Sequence, residues 1–271
     1  MLSFIAEKDG KLSKQILKLC DGLSYSAVMK LLRSKDVKVN GSRVKDDVTL
    51  STGDRVEIYY TPKTEQAYST IFSDNNVLVV FKKSGYTSEK IFELIKLEYE
   101  NAGFIHRLDR NTQGVMVFSL NPTAEKELLL GFKNRTFKKL YLAEIIGFPE
   151  KSSAVLEGYL IKDSEKACVR IYDKKVDGAV YIKTAYKTIK KYENSSLVEV
   201  ELFTGKTHQI RAHLAHIGHP VVGDGKYGDN AYNKARKVKS QRLTAYSLTL
   251  YFEEKSALFY LNGKTFTCPT F

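Results

Sequence analysis

Apolar positions recur at helical spacing in KLSKQILKLC, residues 11–20, where Leu12, Ile16 and Leu19 share a face. The same pattern returns in SYSAVMKLLRSKD, which Ser24 can cap, so two short helices are expected in succession. VKVNGSRVK then sets two alternating stretches around Asn40-Gly41, which predicts a hairpin, and DRVEIYY supplies a further strand. TPKTEQAYST, residues 61–70, is polar and aperiodic, and is expected to be a linker. Beyond it short strands outnumber helices. Val77–Phe81 reads as an apolar strand closed by a turn at Lys82–Gly85, and GVMVFSL, KKLYLAEIIG, ACVRIYD, YIKTAYKTI, SLVEVEL, LTAYSLTLYF and SALFYLNG read as further strands. Helical spacing is confined to EKIFELIKLEYEN, PTAEKELLLGFKN and THQIRAHLAHIG. The expected fold class is α+β with a mainly antiparallel mixed sheet, preceded by a small α/β unit. The expected divisions are residues 1–60, a linker at 61–70, and 71–271.

A chain of 271 residues with 43% apolar content can bury one large domain, or a medium domain with a small module appended. No run approaches the roughly 18 apolar residues of a membrane span, and MLSFIAEKDGKLSK puts charges where a signal peptide has its apolar core, so neither secretion nor a membrane is expected. Cys20, Cys168 and Cys268 show no metal-ligand spacing, and a reducing cytoplasm fits them best. The formal charge of +12, from 43 Lys+Arg against 31 Asp+Glu, suits a polyanionic partner, although a lysine-rich proteome produces the same excess without one.

Two segments carry candidate chemistry. In HRLDRNTQGV, residues 106–115, Asp109 is flanked by His106, Arg107 and Arg110; taken by itself this reads as a salt-bridge cluster on a turn. In LFTGKTHQIRAHLAHIGHPVVGDGKYG, residues 202–228, Thr204-Gly205 can cap a helix whose first turn holds Thr207 and His208. His208, His213, His216 and His219 do not share one helical face and no HExxH is present, so no metal site is expected. Arg211 is a permanent cation able to orient a carboxylate and keep it deprotonated. Tyr141 in KKLYLAEIIG is a strand tyrosine whose ring could pack in a core or stack on a nucleobase. Lys234, Arg236, Lys237, Lys239 and Arg242 form a second basic cluster that could follow phosphates or simply be solvated.

In order along residues 70–271, HRLDRNTQGV, KKLYLAEIIG, LFTGKTHQIRAHLAHIGHPVVGDGKYG and QRLTAYSL resemble the RluA family of pseudouridine synthases. The resemblance implies an RNA-modifying isomerase needing no metal or organic cofactor, with Asp109 as catalytic aspartate, Tyr141 as active-site tyrosine and Arg211 paired with the aspartate. It further implies that Arg107 fills space beside an extruded nucleotide, with His106, Lys206 and His208 at the RNA-facing site. Residues 1–60 resemble the RNA-binding module of ribosomal small-subunit protein four, which places Ser26, Lys30, Arg33, Lys38, Asn40 and Arg43 at the RNA backbone. Ribosomal RNA is the implied partner, with transfer RNA an alternative, and a monomer is expected.

The chain departs from the family pattern in three places: Lys82-Lys83 for Lys-Pro, Lys206 for an arginine, and Thr244 for a histidine. The last leaves room for a non-catalytic RNA-binding or ribosome-assembly factor, and the histidine-rich helix leaves room for a metal-dependent hydrolase. If the synthase reading holds, Arg211 lies within hydrogen-bonding reach of Asp109, and Tyr141 borders the same cleft.

Overall fold

In a computed structural model, residues 2–19, 25–59, 67–163, 165 and 167–269 are described. The expected Ser24 cap, Cys20 and residues 61–66 of the expected linker lie outside them. Contacts divide the chain into two compact units, Met1–Glu65 and Gln66–Phe271.

The first unit runs β1 (Leu2–Ile5), β2 (Gly10–Lys11), α1 (Leu12–Leu19), α2 (Tyr25–Arg33), β3 (Val37–Val39), β4 (Ser42–Val44), β5 (Thr49–Leu50) and β6 (Arg55–Ile58). The helices arise where their apolar spacing predicts. Leu12, Ile16, Val28 and Leu32 are buried against Val37, Val56 and Ile58 of the sheet, whose strand order is β1-β6-β3-β4. The turn joining β3 to β4 needs two left-handed residues, and Asn40 (φ 49°) and Gly41 (φ 82°) supply them. Strand β1 has no periodic signal because its side chains are mostly exposed. It is held by its ladder to β6.

The second unit contains β7 (Tyr68–Ser73), β8 (Val77–Lys82), α3 (Ser88–Glu98), β9 (Gly103–Phe104), β10 (Gln113–Ser119), α4 (Pro122–Asn134), β11 (Lys138–Ile146) and β12 (Ser153–Asp163). It continues with β13 (Cys168–Tyr172), β14 (Val180–Lys191), β15 (Ser195–Leu202), α5 (Gln209–His216), α6 (Asn230–Ala235), β16 (Leu243–Thr249) and β17 (Thr265–Thr267). The strands form one mixed sheet in the order β13-β12-β14-β15-β11-β16-β10-β8-β7, with β17 on β16 and β9 on β10. Among the described strands the β10–β16 pair is parallel and the other pairs are antiparallel.

Strands β8 and β10 read as unbroken apolar runs because both faces of the sheet are covered there. Leu78, Val80, Met116 and Phe118 turn toward α3 and α5, where Ile91, Ile95, Ile210 and Leu214 are buried. Val77, Val79, Val115 and Val117 turn the other way, toward Ala124 and Leu128 of α4. Where β10 meets β16, Gly114 has φ 133°, and a Cβ on it would stand 2.3 Å from the Ala245 carbonyl oxygen, so the parallel pairing requires glycine.

Three expectations are corrected. Residues 68–70, read as linker, begin β7 and pair with β8; a bulge between Thr70 and Phe72 breaks the alternation, so the segment carries no regular period to read. SALFYLNG is not a strand; Phe259–Leu261 form a 3-10 turn, burying Leu258 and Leu261 against the α4 face. Helix α5 starts at Gln209, so Thr207 and His208 precede it, and Thr204 does not cap it. No described helix is long and apolar enough to cross a membrane.

Candidate active site

Asp109 lies in the loop between β9 and β10, and that loop is clamped from several sides. Ser88 Oγ donates to the Leu108 carbonyl (2.9 Å) and accepts from Leu108 N–H (2.8 Å), Ser84 Oγ donates to Asn111 O, and Gln241 Nε2 donates to Thr112 Oγ1. Lys82, at the end of β8, is fully buried, with its ammonium donating to the carbonyls of Lys83, Tyr86 and Arg110. Burial pushes the Lys82 pKa down to about 8, against the opposing pull of Asp109 and Glu89. The lysine of the Lys82-Lys83 departure thus acts as an internal staple, ordering the loop that carries Asp109.

Arg211 reaches the same place from α5. The turn into this helix is built on Gln209, whose Nε2 donates to Lys183 O and Thr184 Oγ1, and whose Oε1 accepts from Thr204 Oγ1 and Lys206 N–H. Thr204 therefore braces Gln209, and His208 takes the left-handed N-cap position at φ 54°. In the first turn of the helix, Arg211 Nη1 donates to Asp109 Oδ2 at 2.7 Å, while Nε and Nη2 donate to the two carboxylate oxygens of Asp224 at 2.6 and 2.9 Å. Asp109 Oδ1 has no hydrogen-bond partner among the described residues.

Asp224 is completely buried and also accepts from Lys226 and Tyr227 N–H. Burial alone would raise its pKa, but the Arg211 guanidinium and those two N–H groups outweigh burial and hold it below the ordinary carboxylate value. Burial likewise pulls Arg211 down, and Asp224 followed by Asp109 overcomes this and raises it. Its guanidinium also faces the Tyr227 ring, 5.2 Å from the centroid.

Tyr141 sits on β11 with 9% of its surface exposed, and burial, followed by the charge of Asp109, raises its pKa above the ordinary phenol value. It is a neutral phenol at physiological pH. A cavity of about 300 Å³ has Asp109, Tyr141, Arg211, Arg107, Lys206 and His208 on its walls, together with His106, Phe132 and Lys139. The three side chains at the centre of the sequence reading therefore converge. A neighbouring cavity shares Arg107, Asp109, His208 and Arg211, placing the carboxylate where the two spaces meet.

The other named residues are engaged differently. Arg107 is exposed at the rim, 3.3 Å from Glu89. His106 stacks on Phe132 at 4.5 Å and accepts from Val117 N–H through Nε2. Burial, with Lys139 nearby, pushes its pKa down to about 3, so the neutral ring carries its proton on Nδ1. His208 Nδ1 is hydrogen-bonded with the Tyr227 hydroxyl at 2.9 Å, and its Nε2 lies 3.8 Å from Asp109; burial holds its pKa below the ordinary histidine value.

The remaining histidines go to separate partners: His213 to Thr184, His216 to Asp173, and His219 to the Ile146 carbonyl. Thr244 does not line the cavity; its hydroxyl accepts from Gln113 Nε2 and ties β16 to β10. In the first unit, Lys38 and Arg43 flank the Tyr59 ring, Arg33 Nε donates to Met29 O, and Ser26 and Lys30 lie on α2. Asn40 ties the β3–β4 turn to the start of β6, donating to Asp54 and accepting from Arg55 N–H.

Sequence reasoning missed Asp224, Tyr227, Gln209 and Lys139, although the first two stand in GDGKYG and the third directly precedes Ile210-Arg211. The signal for Asp224 was the need of a buried arginine for a second carboxylate.

His213 makes stability depend on pH. It is 2% exposed, and burial, followed by the charge of His216, pushes its pKa down to about 4. Between the ordinary histidine value of about 6.5 and this one, the unfolded chain holds a proton that the folded chain does not. Stability therefore falls as the solution is acidified through that window, by about 1.4 kcal/mol per pH unit from this residue. Denaturant unfolding at pH 7 and pH 5 should show the loss, and His213→Gln should make it shallower by that residue's share, with His106 supplying part of the remainder; equal slopes in the two proteins would refute the assignment.

Residues 75–216 match the family model described as RNA pseudouridylate synthase. An uncharacterized RNA pseudouridine synthase of Aquifex aeolicus is 30% identical over 292 residues, covering 94% of this chain and 90% of the relative. The ribosomal large subunit pseudouridine synthase C of Vibrio parahaemolyticus is 26% identical, over 85% of this chain and 81% of its own. The solved structure of human RNA pseudouridylate synthase domain containing 1 superposes with a TM-score of 0.62 at 25% identity, covering 70% of this chain and 80% of that one. With that match over half its length, on a fold that brings a carboxylate, an arginine and a tyrosine to one cavity, the chain belongs to the RNA pseudouridylate synthase family.

Proposed function

We propose that this synthase is of the RluA type, acts on uridines of large-subunit ribosomal RNA, and uses Asp109 as its catalytic carboxylate. The observation that carries the residue assignment is the 2.7 Å hydrogen bond from Arg211 to Asp109 in a cavity walled by Tyr141. The names of several relatives, ribosomal large subunit pseudouridine synthase C among them, support the choice of RNA.

The reaction breaks the bond between ribose C1′ and uracil N1 and joins C1′ to uracil C5; the C5 proton leaves and N1 gains one, so composition is unchanged. Asp109 can serve by attacking the sugar, adding to the uracil, or removing a sugar proton, and each route needs its ionised form. With Oδ2 held by Arg211, Oδ1 remains unencumbered by protein donors. A uridine must leave its stack to enter the cavity, at a cost of a few kcal/mol. The apolar ring of Tyr141 offers a stacking surface, and Arg107 at the rim can occupy the vacated space.

Residues 1–60 serve as the RNA-binding module, and the catalytic part begins with β7 at Tyr68. Lys38 and Arg43 beside Tyr59 suit an RNA backbone. The enzyme works as a cytoplasmic monomer. The alternative of a non-catalytic assembly factor drew on Thr244, and the place of that residue between two strands, off the cavity, argues against it.

The deciding experiment maps pseudouridine across all cellular RNA with the gene deleted and then restored. Loss and return of signal at large-subunit uridines is expected. Changes confined to transfer RNA would overturn the substrate, and no change anywhere would overturn the catalytic reading.

A further inference from the structure

Charge in the main cavity is unevenly matched. Asp109 is the one carboxylate among its described lining residues, and Arg211 is already neutralised by Asp109 and Asp224. Arg107 has Glu89. Lys139 is half-buried on β11, and among the described residues no carboxylate lies within ion-pair distance of its ammonium. Its surroundings are the Phe132 ring, 5.8 Å from Nζ, the neutral His106, and the backbone at Gly205, where an added Cβ would stand 4.0 Å away. Burial, followed by repulsion from Arg135, lowers the Lys139 pKa. A partly desolvated cation with a cationic neighbour and no counter-ion is unfavourable in isolation. It becomes favourable when an anion enters the cavity from outside.

We propose that Lys139 binds a backbone phosphate flanking the flipped uridine. The assignment rests on the uridine occupying the Tyr141 cavity. Lys139 and Tyr141 are two residues apart on one strand, so their side chains emerge on the same face about 6.7 Å apart. With the uracil on Tyr141, a flexible lysine one pleat away is placed for the adjoining phosphate. Lys206 on the same wall adds a second cation near the path of the strand. Only RNA brings an anion at every nucleotide, and a lysine suits it as a point charge without needing planar geometry.

The test uses an RNA hairpin containing a uridine that the wild-type enzyme modifies, and versions in which the phosphate 5′ or 3′ of that uridine is a neutral methylphosphonate. Lys139→Met, which preserves volume, is expected to raise Kd about tenfold and to reduce the slope of log K against log salt by about 0.7–0.9. Its single-turnover rate at saturating RNA is expected to stay within about threefold of wild type, since a phosphate contact positions without reacting. One of the two methylphosphonates should weaken wild type about tenfold yet leave Lys139→Met unaffected, and Lys139→Arg should restore affinity.

Unchanged Kd and salt slope, or fully additive losses at both linkages, would overturn the proposal, as would a rate loss at saturating RNA with affinity intact. Wild type tested alone also decides, because indifference to both neutral linkages rules out the contact even if Lys139→Met does not fold. If wild type forms no pseudouridine in any RNA, the reading of function fails and this inference falls with it. If wild type is active and Lys139→Met binds identically, only the inference fails.

Discussion

Asp109→Asn is expected to lower the single-turnover rate of pseudouridine formation by at least about 10⁴-fold, equivalent to about 5.5 kcal/mol of transition-state stabilisation. Asparagine keeps the shape and can still accept from Arg211 Nη1 through its amide oxygen, so the hydrogen bond seen at 2.7 Å has a substitute. What it lacks is the charged oxygen that each chemical route uses. The fold should tolerate the change. Arg211 retains both bonds to Asp224, so no buried charge is orphaned, and the loop is held by Lys82, Ser88 and Gln241 independently of the carboxylate. Affinity for a target hairpin should therefore remain within about threefold of wild type, since the substitution leaves the cationic RNA contacts in place. Single-turnover assays and binding on one preparation separate the two effects. A rate loss below about tenfold would remove Asp109 from the chemistry.

Much of this architecture was legible in the chain because one short-range signal sufficed for each element. Helix α4 carries its own start, Asn121 capping Ala124 N–H ahead of Pro122, and the pattern placed it over its full length. The Asn40-Gly41 turn was equally local. Strand β12 was not foreseen, because apolar residues fall on both of its faces, with Val155 exposed and Gly158 buried, and its identity comes from ladders to β13 and β14 on either side. SALFYLNG failed for the opposite reason: its apolar residues satisfied a strand pattern, while the chain used them to bury Leu258 and Leu261 around a tight turn.

The site shows the same division. HRLDRNTQGV alone could not be told from a surface ion-pair cluster, since what distinguishes Asp109 is a guanidinium 102 positions further along the chain. Order among motifs suggested that partnership. Nothing in order or periodicity revealed Asp224, whose importance comes from complete burial, nor Lys139, whose importance comes from what is not beside it.

Asp224→Ala is expected to damage both the fold and the chemistry. The wild-type carboxylate accepts from Arg211 Nε and Nη2 and from two backbone N–H groups, all in a fully buried position. Removing it leaves a buried guanidinium with Asp109 as its remaining carboxylate, and breaking a buried pair from one side costs about 3–5 kcal/mol. Arg211 is then free to rotate toward Asp109, so the carboxylate loses a fixed anchor and the rate should fall about 10²-fold beyond any loss of folded protein. Asp224→Asn separates the two effects, because its amide oxygen can still accept from Arg211 and fill the space while contributing no charge. It should recover more stability than rate.

Acid supplies an independent check. The folded-state pKa of Asp224 lies below its unfolded value, so its contribution is fully present above the ordinary carboxylate value near 3.8 and is lost as pH falls through the folded value. Asp224→Asn should remove that part of the acid limb while leaving the histidine-dependent loss between about pH 6.5 and 4 in place. If Asp224→Ala unfolds within about 1 kcal/mol of wild type at pH 7 and turns over at the wild-type rate, Arg211 does not depend on Asp224, and Asp109 must be positioned by its own loop alone.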